Sequence, residues 1–197
     1  PFEENYQYSP TFNRGVNIID EKGYDYFFEN VGELLENADL VIANLETPLV
    51  NTGVTGKIPS SYLKPYLHWG SAKGAPVFLK KYNITALSLG NNHSMDYGKG
   101  GLDETMFALS SNGINYFGAG ADSIQAAEPF IKDFENFKLA VFGGFEFRGK
   151  YDTLYDFYAG NTKAGVNMLD TGAIASQIRE YRKKFQDIFI IIYPHWG

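Results

Sequence analysis

The chain of 197 residues contains no cysteine. That excludes a disulfide framework and a thiolate metal site, and it leaves the redox compartment open. Histidine is scarce too: His68, His93 and His195 are the only three, so any imidazole chemistry has to come from them. No apolar run reaches the ~18 residues of a membrane-crossing helix. The chain does not open on a basic segment followed by an apolar one, and the expectation is a signal peptide already removed or never present. Positive charge is thin. The formal net charge is −6, and the dense basic runs, Lys80 with Lys81 and residues 179–184, read as solvated faces, which argues against nucleic acid as a partner. No serine sits in a Gly-x-Ser-x-Gly elbow, so a serine hydrolase lacks support. Gly118-Ala119-Gly120 lacks the third glycine and the Lys-Ser/Thr of a phosphate loop and reads as a turn.

What is present is an alternation of strand and helix patterns in a chain of single-domain length, enough to bury on the order of 70% of the surface an unfolded chain exposes. Residues 1–22 show no clear period apart from an apolar patch at Val16, Ile18 and Ile19. Phe27, Val31, Leu34 and Leu35 recur at helical spacing and predict a helix over 24–37. Residues 39–45 predict a strand buried on both faces that delivers Asn44 and Glu46 at its end. Residues 47–70 hold many turn formers and predict a long, mobile loop that walls a site. A helix is expected over 72–82 with Val77, Phe78 and Tyr82 inward, then a strand through Leu89. Leu102, Met106 and Leu109 predict a helix stopping at Asn112-Gly113. A short strand over 115–117 and a hairpin of 129–134 with 138–143 follow. Residues 144–169 are aromatic and weakly patterned. A helix over 171–185 and a strand over 187–193 close the chain, ending in Pro194-His195-Trp196-Gly197.

The chain is organised around residues 86–101, Ala-Leu-Ser-Leu-Gly-Asn-Asn-His-Ser-Met-Asp-Tyr-Gly-Lys-Gly-Gly, where an apolar strand runs into a polar turn. The carboxyl ends of strands are where open α/β sheets hold their ligands. Three strand ends carry polar groups: Asn44 with Glu46, Asn92 with His93, and His195. One carboxylate, an amide oxygen and imidazoles form a mixed oxygen and nitrogen donor set that Mn, Zn or Fe accepts and that does not resemble an all-oxygen calcium cage. The alternative is polar residues that only cap strand ends and order loops. For His195 that means a bond to a backbone carbonyl beside Trp196, and for His68, in the long loop, the structural role is the expected one. Asn91 is expected to hold its own turn, and Asp96 to orient the loop or an imidazole.

At these residues the sequence resembles a known family. Ala-Asn-Leu-Glu-Thr-Pro-Leu (43–49), Ser-Leu-Gly-Asn-Asn-His-Ser-Met-Asp-Tyr-Gly (88–98), Gly-Ala-Gly (118–120) with Ala127 and Pro129, and Pro-His-Trp-Gly (194–197) resemble the motifs of CapA-type poly-γ-glutamate capsule biosynthesis proteins. These are distant relatives of calcineurin-like metallophosphoesterases. The resemblance runs in order from about residue 13 to the end. It implies one α/β domain over 1–197, a layered sandwich of mixed β-sheets flanked by helices (four layers, αββα), with a divalent metal (Mn, Zn or Fe) at strand ends. By the same resemblance Glu46 takes the place of the metal-bridging carboxylate, Asn92 that of the ligand amide, His195 that of a metal-binding imidazole and His93 that of the acid near the leaving group; Asp96, read from the residues as orienting an imidazole, is paired with His93 as the second catalytic residue. The implied partners are an anionic polymer, poly-γ-glutamate, or its synthesis machinery, in the extracytoplasmic cell envelope, with membrane contact only through segments outside this chain.

Two departures matter. The family opens on a Gly-Asp strand motif, and here Tyr8-Ser9 precede Phe12-Asn13-Arg14-Gly15-Val16. The family's later Gly-His-His-Pro-His loop does not occur in these residues. Either the chain is part of a longer protein or its metal site is incomplete. A non-catalytic binding or scaffold module with a degenerate metal site is therefore the second expectation, beside a metal-dependent, phosphoesterase-like hydrolase.

Overall fold

A computed structural model describes residues 3–4, 22–51 and 67–196. In chain order the first elements are β1 (Glu3–Glu4), a 3-10 turn (Tyr24–Phe27), α1 (Gly32–Glu36), β2 (Val41–Asn44), β3 (Leu49–Val50) and β4 (His68–Ser71). Next come α2 (Ala75–Lys81), β5 (Ile84–Ser88), α3 (Gly98–Ser111), β6 (Asn115–Phe117) and β7 (Ala119–Gly120). The remainder is α4 (Ser123–Ala127), β8 (Phe130–Asp133), β9 (Lys138–Phe145), α5 (Gly149–Tyr155), β10 (Gly165–Val166), α6 (Thr171–Lys184) and β11 (Ile188–His195).

Two three-stranded sheets face each other. In the first, β5 lies between β2 and β6 and all three run parallel, as the intervening helices require. In the second, β9 lies between β8, antiparallel through the Asp133↔Lys138 hairpin, and β11, parallel in register from Ile188↔Lys138 to His195↔Phe145. Ala86 and Phe117 of the first sheet meet Phe130, Leu139 and Val141 of the second in a shared buried cluster, with Tyr193 edge-on to Phe117 at 5.9 Å. The outer face of the first sheet is covered by Ala75 and Leu79 of α2 and by Leu102, Met106 and Leu109 of α3. Across the molecule α6 lays Tyr181 against Phe142, 5.7 Å between centroids. The molecule is thus an α/β sandwich whose order is helix, sheet, sheet, helix. Smaller pairings, β1–β4–β3 and β7–β10, sit around it. Among the described residues no helix is long and apolar enough to cross a membrane.

The strands that carry polar groups end together because their ladders end together. Asn44 pairs with Ser88 and Ser88 with Phe117, and the ladder runs one step further as Leu45 N–H donates to Ser88 O and Leu89 N–H to Phe117 O. Gly90 then brings the first sheet onto the second. A Cβ at Gly90 would stand 2.5 Å from the backbone nitrogen of Gly144, and Gly118, at φ +83°, also packs on the Gly90 backbone. Only a hydrogen fits between these backbones. Gly90→Ala is accordingly expected to lower stability by about 1–3 kcal/mol, the range for overpacking. Urea unfolding should show the midpoint falling with an unchanged slope.

Several expectations are corrected. The helix over 24–37 is a 3-10 turn and a five-residue helix, and Phe27, Val31 and Leu34 are exposed. The reason is non-local: Phe28 stacks on Tyr82 at 4.2 Å, and Gly32 lies so close that a Cβ would sit 2.7 Å from the same ring. Packing on Tyr82 outweighs the helical period. In α2, Val77 is exposed and Leu79 is buried instead. Within 47–70 the ends are structured: Thr47, Leu49 and Val50 are buried, and β3 pairs with β4. The centre of that loop and the patch at Val16, Ile18 and Ile19 lie outside the described residues. Ala119–Gly120 is not a bare turn but a strand paired with β10. Residues 144–169, weakly patterned in sequence, contain α5, β10 and the buried rings of Phe145, Tyr155, Phe157 and Tyr158.

Candidate functional site

The carboxyl ends of β2, β5 and β11 meet around one imidazole nitrogen. His195, the last residue of β11, places Nε2 at 2.9 Å from Asn92 Oδ1 and 3.5 Å from Glu46 Oε1. Both neighbours are acceptor oxygens, so Nε2 carries a hydrogen and donates toward them. Glu46 is half-exposed and His195 largely covered, so the cluster opens to solvent on the carboxylate side. Asn44 extends it, its Nδ2 donating to Glu46 Oε2 at 3.3 Å. Glu46, Asn92 and His195 are thereby brought together from three separate strand ends. His68 belongs to β4.

The geometry rests on Asn91, which is fully buried. Its Nδ2 donates to Asn44 Oδ1 at 3.0 Å and to the Leu45 carbonyl at 2.9 Å, and its Oδ1 accepts from the backbone N–H of His93 at 3.0 Å and of Ser94 at 3.1 Å. The Ser94 hydroxyl donates to the Leu89 carbonyl at 2.6 Å and closes the turn. Asn91 thus does more than hold its own turn. It ties the segment bearing Glu46 to the segment bearing Asn92 and His93.

His93 faces a different partner. Its Nδ1 lies 2.8 Å from Oδ2 of Asp96, a carboxylate with no solvent exposure, while the His93 side chain is 14% exposed. With Asp96 as a carboxylate, which only accepts, Nδ1 donates to it and Nε2 is the ring nitrogen turned away from Asp96. Phenols surround the pair: burial first, and the Asp96 carboxylate second, hold Tyr97 above the ordinary phenol range. Burial, then Tyr151, then Asp96 push Tyr155 higher still, so both stay protonated at neutral pH.

A third group at the site was not singled out in the sequence. Glu146 N–H donates to the His195 carbonyl at 3.2 Å, and Arg148 Nε donates to Glu146 Oε1 at 2.8 Å. The Tyr158 hydroxyl donates to the Glu146 carbonyl and accepts from Arg148 N–H at 2.7 Å, pinning the backbone between them. The signal available in the sequence was the alternation Phe145-Glu146-Phe147-Arg148 directly after a strand.

One carboxylate, one amide oxygen and one imidazole nitrogen suit a divalent ion of the Mn, Fe or Zn kind. Two oxygen donors, Asn92 Oδ1 and Glu46 Oε1, already stand within 3.5 Å of Nε2, which is the arrangement a cation in place of the Nε2 hydrogen would use. Among the described residues no group of three or more acidic or histidine side chains is placed to hold a metal, so the amide of Asn92 is needed to complete the set.

The model of the bacterial capsule synthesis protein family, PGA_cap, matches residues 6–197. The chain belongs to this family. Over 187 residues it is 27% identical to the PGA biosynthesis protein CapA of Bacillus subtilis (strain 168), covering 91% of this chain and 44% of that protein. Over 182 residues it is 24% identical to the capsule biosynthesis protein CapA of Bacillus anthracis, covering 91% of this chain and 42% of that one. It therefore spans less than half the length of these curated relatives. An uncharacterized protein of Sinorhizobium fredii, y4sH, is 30% identical over 105 residues, 53% of this chain and 23% of that protein.

Proposed function

We propose that this capsule biosynthesis domain is a metal-dependent, phosphoesterase-like hydrolase of the extracytoplasmic cell envelope, acting on poly-γ-glutamate or on its synthesis and export machinery. The observation that carries the reading is the convergence of Glu46, Asn92 and His195 on one point from three strand ends, next in the chain to a histidine held by a buried aspartate. Glu46, Asn92 and His195 would hold the ion, which when bound polarises a phosphoryl or acyl oxygen and activates water. His93 would keep a proton at Nε2 for the leaving oxygen while Asp96 fixes its ring and balances the imidazolium charge. Asn91 would hold the donors and the acid at constant separation. The family's kinship with metallophosphoesterases supports the same assignment.

A second reading, a binding or scaffold module with a degenerate metal site, is favoured by one feature. The donors satisfy each other, since the His195 N–H is directed at both Asn92 and Glu46.

Metal analysis and phosphodiesterase assay with added Mn²⁺ separate the two. The hydrolase reading expects one ion per chain and turnover, with Glu46→Gln and His195→Ala each weakening Mn²⁺ binding by about tenfold or more, the scale for disturbing a metal's ligand set. A folded chain that takes up no ion and cleaves no phosphodiester belongs to the scaffold reading.

A further inference from the structure

Beside the candidate metal ligands a cation is held ready. The Phe145 ring is buried, and two groups lie against it: the His195 imidazole at 5.7 Å and the Arg148 guanidinium at 5.5 Å. Laid end to end these distances put the two groups at most about 11 Å apart. Arg148 also lies over Tyr151 at 5.9 Å, and Glu146 Oε1 accepts from both Nε (2.8 Å) and Nη2 (2.5 Å). Its side chain is still 36% exposed. Stacked, clamped and reachable, the guanidinium loses little freedom on receiving an anion. A carboxylate, that of Glu146, is already what it binds. The Glu146 backbone N–H is bonded to the His195 carbonyl, so the cation and the imidazole are fixed to one frame.

We propose that Arg148 forms a carboxylate subsite that holds one repeat of a polycarboxylate chain while a neighbouring part of that chain lies at Glu46, Asn92 and His195. This rests on the polymer reading given above. Neighbouring carboxylates on a γ-linked glutamyl chain are five backbone atoms apart, on the order of 6 Å from standard bond lengths, so one or two repeats cover the distance. Glu146 both orients the guanidinium and competes for it, which gives the two residues opposite effects.

The test uses the 197-residue protein with Mn²⁺ and fluorescently labelled poly-γ-glutamate decamer, read by anisotropy, with free glutamate as the single-repeat probe. Arg148→Gln is expected to weaken decamer binding about tenfold, the effect of one charge-assisted hydrogen-bonding group. Arg148→Lys should recover part of the loss, because it keeps the charge without the planar fork. Glu146→Gln should tighten decamer binding by removing the competing carboxylate. Mn²⁺ affinity should stay constant throughout, while the weak binding of free glutamate should fall in Arg148→Gln by no more than decamer binding does. Unchanged decamer affinity in Arg148→Gln, with wild type binding normally, overturns the subsite and leaves the polymer reading standing. Weaker binding in Glu146→Gln as well assigns the pair a structural role and also overturns it. No decamer binding by wild type that retains Mn²⁺ removes the polymer reading and the subsite with it.

Discussion

Asn91→Asp is expected to destabilise the protein by about 3–5 kcal/mol at neutral pH, the scale of an uncompensated buried charge, although the two side chains have nearly the same shape. The Asn91 amide is wholly buried and uses both of its ends. Its oxygen accepts from the His93 and Ser94 N–H groups, and a carboxylate oxygen would do that equally well. Its nitrogen donates to Asn44 Oδ1 and to the Leu45 carbonyl. In the variant a second carboxylate oxygen would face those acceptors. Asn44 can turn its amide, but the Leu45 carbonyl has no hydrogen to give. Burial and the facing carbonyl both raise the folded-state pKa of the introduced carboxyl above its unfolded value. Over that window the native state binds more protons than the unfolded state, so the variant loses stability as pH rises through the folded pKa and regains it as pH falls. Urea unfolding of wild type and variant at several pH values checks this. A pH-independent deficit would mean that shape, and not the lost donor, is what the site requires.

How much of this was legible in the sequence depends on how far each interaction reaches along the chain. The hairpin around Glu135-Asn136, the helix that stops at Gly113 and the strand into His195 are set by local period and turn chemistry, and they stand as expected. The segment 24–37 has an equally good helical period, but Tyr82, far away in sequence, draws Phe28 and Gly32 onto its ring and breaks the helix. Residues 144–169 show no period because their rings pack on each other in one cluster, Phe145 on Phe157 at 5.6 Å and Phe157 on Tyr158 at 5.0 Å. Clusters of that kind leave no regular spacing behind. The polar strand ends were legible as composition and their meeting was expected, whereas what enforces the meeting was not. It depends on Gly90 and Gly144 letting two backbones touch and on Asn91 reaching across to β2. Arg148, beyond the bare alternation of rings and charges around it, was illegible as part of the site for the same reason, since the ring that shelves it beside His195 acquires its meaning only when β9 and β11 align Phe145 with His195.

If the hydrolase reading holds, His93→Ala should lower kcat by about 10²–10⁴-fold, the usual contribution of a positioned acid, on alkyl phosphodiesters and by far less on nitrophenyl ones. The distinction follows from where the proton is needed. An alkoxide leaves poorly unless it is protonated as the bond breaks, and Nε2 of His93 is the nitrogen free of Asp96. A nitrophenolate leaves without that help. Asp96→Asn should fall between wild type and His93→Ala on alkyl substrates: the amide oxygen still accepts from Nδ1 and keeps the ring oriented, but the carboxylate facing it is gone. Neither change touches Glu46, Asn92 or His195, so Mn²⁺ content should be that of wild type, which separates loss of the acid from loss of the ion. Equal losses on both substrates would place His93 in substrate binding and not in proton delivery. Loss of Mn²⁺ in His93→Ala would make the imidazole part of the ligand set, with Asp96 behind it as the group that orients a metal-bound ring.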